Sequence, residues 1–100
     1  MQAYLISPFD EESTAITAVL QKSGFTVRSS RTISNLTTSW PAEPLDLMVI
    51  LQEGVHDELV TELKQLRQHT AVPILLIMDI KSENQQVAIL DAGIDCLLPR

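Results

Sequence analysis

The chain has 100 residues, 45% of them hydrophobic and 20% charged, a composition that suits one small domain with its own core and leaves no room for a second folded unit or a disordered one. Its formal net charge is −6, and no cluster of Lys and Arg offers the footprint that a nucleic-acid backbone needs, so this domain by itself is not expected to bind DNA.

The N-terminal Met1-Gln2-Ala3-Tyr4-Leu5-Ile6 lacks the basic start of a signal peptide. No apolar stretch reaches the roughly 20 residues that span a bilayer. The single cysteine, Cys96, lies in the apolar run Cys96-Leu97-Leu98. We expect a buried thiol there, no disulfide framework, and a cytoplasmic protein.

In chain order, Ala3 to Ile6 reads as a short apolar strand closed by Ser7-Pro8. Ser7 has the features of a helix N-cap, with Pro8 in the first helical position and Asp10 three residues on. Asp10, Glu11 and Glu12 then fall in the first turn, where the helix dipole favours negative charge. Ala15, Ile16, Val19 and Leu20 form an apolar stripe at helical spacing, and Gly24 is a stop, which predicts a helix over about residues 8 to 23. Phe25-Thr26-Val27 with Arg28 reads as an edge strand, being short and partly polar. A weaker helical pattern carries Ile33, Leu36 and Trp40 and ends at Pro41.

Pro44 to Leu51 is a continuous apolar run broken abruptly by Gln52-Glu53-Gly54. Continuous rather than alternating hydrophobicity predicts a central parallel strand covered on both faces. Gly54 to Thr70 then carries Leu59, Val60, Leu63 and Leu66 on one helical face, with Glu, Lys, Gln and Arg assigned to the outer one. Val72 to Met78 is a second buried strand, with Pro73 confined to its entry. Ser82 and Gln85 form a capping box for a helix running to Ala92 and stopped by Gly93, and Asp95 to Leu98 is the last strand. Strands thus alternate with helices, which predicts right-handed crossovers and a three-layer α/β/α sandwich. The three glycines stand alone at element ends, so no phosphate-cradling loop of the Walker or Rossmann kind is present.

Taken together, the strand ending at Leu51 with Asp46 five residues before that end, the Val72-Pro73-Ile74-Leu75-Leu76 segment, and Ala92-Gly93-Ile94-Asp95 leading into the last strand resemble the receiver domain of two-component response regulators. The resemblance spans essentially all 100 residues and implies a flavodoxin-like fold: a five-stranded parallel sheet in the order 2-1-3-4-5, here lacking the last helix. It also implies that residues 1–100 are the N-terminal part of a longer regulator.

A receiver domain of the working kind has an acidic pair after its first strand, a phosphoacceptor Asp ending the third, a hydroxyl ending the fourth and a Lys ending the fifth. On this chain those positions fall on Ser7 and Pro8, on Leu51, on Met78 and on Arg100, which keeps only the charge, while the aromatic switch position falls on Leu97. Acyl phosphate formation needs a carboxylate nucleophile, which leucine lacks. Magnesium needs hard oxygen ligands, of which Ser7, Pro8 and Leu51 supply at most one hydroxyl. With nucleophile and metal site both gone, phosphoryl transfer has nothing to act through.

The resemblance therefore implies a pseudo-receiver: no enzyme, no cofactor, no metal, and a regulatory, protein–protein interaction module within a signal-transduction or transcriptional regulator. DNA would be reached only through a separate domain. Homodimerisation is the expected contact, because the absent helix would leave an apolar strip of sheet uncovered. The alternative is a sensor holding a small molecule at the strand ends, in a cavity lined by Ser7, Leu51, Gln52, Met78 and Asp79. Asp10, Glu53 and Asp79 follow strand ends and are read as loop or cap residues rather than a displaced cation site, and His56 as a histidine opening a helix.

Overall fold

The computed structural model describes residues 1–31, 45–52, 58–79 and 82–99. Five strands form one parallel sheet: β1 Gln2–Ile6, β2 Thr26–Ser30, β3 Leu47–Leu51, β4 Ile74–Ile77 and β5 Cys96–Leu98, in the order β2-β1-β3-β4-β5. Three described helices connect them: α1 Asp10–Lys22, α2 Leu59–His69 and α3 Glu83–Asp91. None of the described helices is long and apolar enough to cross a membrane. The expected helix over Ile33 to Trp40 lies outside the described residues.

Register assigns each side chain to a face. Met48 pairs with Ile74 and Ile50 with Leu76, and Ile6 lies beside Ile50. This face is buried against Leu59, Leu63 and Leu66 of α2 and Ile89 of α3, and it holds the main core. The opposite face carries Ala3, Leu5, Val49 and Leu51, all buried, and α1 packs on the β1–β2 side of it. Beyond β3 that cover runs out. Leu75 and Ile77 of β4 are only half-buried, and their register partners Cys96 and Leu98 on the edge strand are exposed.

The expectation of a buried thiol at Cys96 is therefore wrong: the cysteine is exposed. Its apolar neighbours signal a strand, yet it stands on an edge strand, on the face that no described helix covers. The stripe Ala15, Ile16, Val19 and Leu20 has the same origin. No residue of α1 is fully buried, and Val19 is 63% exposed.

Element ends differ from the sequence reading: β3 is Leu47–Leu51 and β4 is Ile74–Ile77, both shorter than expected, and α1 and β2 are shifted as well. The first helix begins at Asp10 with Phe9 at its N-cap, and Ser7 does not cap it. The reason is tertiary: the Ser7 N–H still donates to the Ser30 carbonyl of β2 at 2.9 Å, so the backbone is held to the sheet through Ser7 and the helix begins after it. Strand β2 likewise runs on to Ser30, because each of its residues has a parallel partner on β1. The later N-cap is as expected, with Ser82 Oγ accepting from the Gln85 N–H at 3.2 Å. Gly93 stops α3 with φ +106°, and a Cβ there would stand 2.8 Å from the Cγ of Arg67.

Candidate functional site

In an open parallel sheet, chemistry gathers beyond the carboxyl ends of the strands, where the strand order reverses. Here the reversal lies between β1 and β3, so the residues that follow these strands define the site. Ser7, Leu51 and Met78 stand at this edge, Leu51 on the face that carries α1 and Met78 among the core side chains of the other face. Ladder bonds continue through the edge, with Gln52 N–H donating to Ile77 O and Met78 N–H to Leu98 O, both at 3.0 Å.

Three of the expected site residues are buried at this edge. Leu51 and Met78 are each 1% exposed and Ser7 is 6% exposed. The Ser7 hydroxyl is turned to its own loop, accepting from the Phe9 N–H at 3.1 Å. Pro8 is exposed beside it and contributes only its carbonyl, which accepts from Arg31 at 3.1 Å. Arg100, the remaining expected member, lies outside the described residues. The side chains at these positions are thus a branched alkyl group, a thioether and one internally satisfied hydroxyl. None of these is a carboxylate nucleophile, and they are poor ligands for a hard divalent ion.

Among the described residues, the neighbouring acids do not gather into a replacement. Arg31 forms an ion pair with Asp10 at 2.9 Å, both side chains being well exposed. Asp79 is exposed, while Glu53 and His56 lie outside the described residues. Among the described residues no three His, Cys, Asp or Glu side chains converge on one point.

A cavity of about 180 Å³ at this edge is lined by Met78, Gln86, Leu97, Leu98 and Pro99. Of the residues expected to enclose a small molecule it shares only Met78. Its volume is below the roughly 300 Å³ at which drug-sized ligand sites begin. The larger apolar feature is elsewhere. A trough of about 310 Å³ runs between α1 (Ala15, Ile16, Val19, Leu20) and the half-covered sheet at Leu75 and Ile77.

One network escaped the sequence reading. Arg67, assigned by periodicity to the outer face of its helix, turns in at the amino edge of the sheet. Its Nε donates to Gly93 O and one terminal nitrogen to Val72 O, each at 2.9 Å, and the other pairs with Asp95 at 2.5 Å. Asp95 Oδ2 also accepts from the Ile74 N–H at 2.8 Å. That backbone bond, opposed by some desolvation and reinforced by Arg67, holds the Asp95 carboxyl below the ordinary aspartate range. The only advance signal was the Ala92-Gly93-Ile94-Asp95 segment; its partner Arg67 lies 28 residues before Asp95 and left no local trace.

The architecture and the position of the site define a class: this is the fold of response regulator receiver domains. An orphan response regulator of H. pylori, HP1043, superposes with TM-score 0.83 at 15% identity, covering 100% of this chain and 82% of that one. The BeF3-activated receiver domain of Klebsiella pneumoniae RstA gives TM-score 0.83 at 19% identity, with 99% and 85% covered. RcsB of Salmonella enterica, bound to promoter rprA, gives TM-score 0.80 at 14% identity, with 100% of this chain and 60% of that one covered. No protein-family model matches the sequence, and no curated protein matches it either.

Proposed function

We propose that this chain is a pseudo-receiver: a regulatory domain of a cytoplasmic signal-transduction or transcriptional regulator that works by protein contact, without phosphorylation and without enzymatic activity. The observation that carries this reading is the burial of Leu51 and Met78 at the sheet's carboxyl edge, each 1% exposed. A phosphoryl group needs a nucleophile, a cation and room, and buried alkyl and thioether groups offer none of these. Incubation with acetyl phosphate and magnesium followed by intact mass tests the proposal. An unchanged mass is expected, and an added phosphoryl group contradicts it.

The contact surface in this reading is the apolar trough beside α1, and its occupant is a second copy of the chain. Half-buried Leu75 and Ile77, with exposed Val19 and Leu98, are the support, since soluble monomers rarely leave such strips open. In a whole regulator, DNA would be contacted by a different domain, as a receiver-fold neighbour is described bound to a promoter.

A further inference from the structure

We draw no further inference here: the strongest candidate, the apolar trough between α1 and strands β3 and β4, belongs to the contact surface already proposed, and nothing in the structure shows what else would cover it.

Discussion

Leu51 is the residue at which the chemistry of a phosphate switch and the physics of a core exclude each other. Its side chain is 1% exposed at the end of β3, so a carboxylate placed there loses its water without gaining a partner. Leu51→Asp is therefore expected to lower stability by about 1–3 kcal/mol at neutral pH, read by urea denaturation. An unchanged midpoint would show that the position is open to solvent after all.

Asp95 is the opposite case, a carboxylate that the fold wants charged. Its pKa is lowered in the folded state, first by the Ile74 N–H and then by Arg67. A depressed carboxyl stabilises the fold above its unfolded pKa, and that contribution disappears as pH falls through the folded value. Asp95→Asn should therefore cost about 1–2 kcal/mol at pH 7, discounted because the side chain is 53% exposed. The gap between variant and parent should narrow below about pH 4, where the unfolded carboxyl protonates. Thermal unfolding at a series of pH values checks this, and a gap independent of pH would remove Asp95 from the account.

At the scale of elements, the junction between α3 and β5 is closely packed around Gly93. Gly93 combines a positive φ of +106° with the Arg67 side chain pressed where a Cβ would go. Gly93→Ala must both adopt a backbone region that L-residues avoid and displace the guanidinium that ties α2 to β4 and β5. A loss of about 1–2 kcal/mol or more is expected from the backbone effect alone. Denaturant unfolding measures it, and a neutral effect would mean that Arg67 can move aside freely.

Much of this level was legible beforehand. Continuous apolar runs located β3 and β4, although only β3 is buried on both faces and β4 leaves Leu75 and Ile77 half-buried, and Ser82 with Gln85 located the start of α3. Other features depended on partners distant in the chain. The start of α1 is delayed by a ladder bond from Ser7 to Ser30, which local capping rules do not see. Helical periodicity placed Arg67 outside because it records spacing, not the carbonyls and carboxylate that a long side chain reaches. The apolar run at Cys96 correctly indicated a strand, but whether a helix covers that strand is a property of the layer above it. For the candidate site, the sequence supplied the residue types at Ser7, Pro8, Leu51 and Met78, and the structure adds their burial and hydrogen bonds. That the hydroxyl of Ser7 is turned to Phe9 and that Arg31 holds Asp10 became visible only in three dimensions.

For the whole molecule, the asymmetry between the two faces of the sheet is the main fact. Among the described residues, one face packs against α2 and α3, and the other is covered by α1 only toward β1 and β2. Pairing through the bare strip would screen Cys96, which lies beside Leu75 in register. Its alkylation rate is expected to fall as protein concentration rises, in step with a concentration-dependent dimer in sedimentation equilibrium. Ile77→Arg should restore both the fast rate and the monomer. Each copy carries a net charge of −6, so self-association should strengthen as added salt shortens the range of repulsion. A monomer at all concentrations, with a constant alkylation rate, would rule out the second copy as occupant.

The central claim is that the phosphoryl pocket of a receiver fold is here filled with side-chain volume. Intact mass after acetyl phosphate and magnesium, run in parallel on the natural chain and on Leu51→Asp, tests it most directly. The account predicts no added phosphoryl group on either, since Ser7 and Pro8 supply no acidic pair even when the carboxylate is put back. A stoichiometric phosphoryl adduct on the natural chain, or its appearance on the variant, would contradict it.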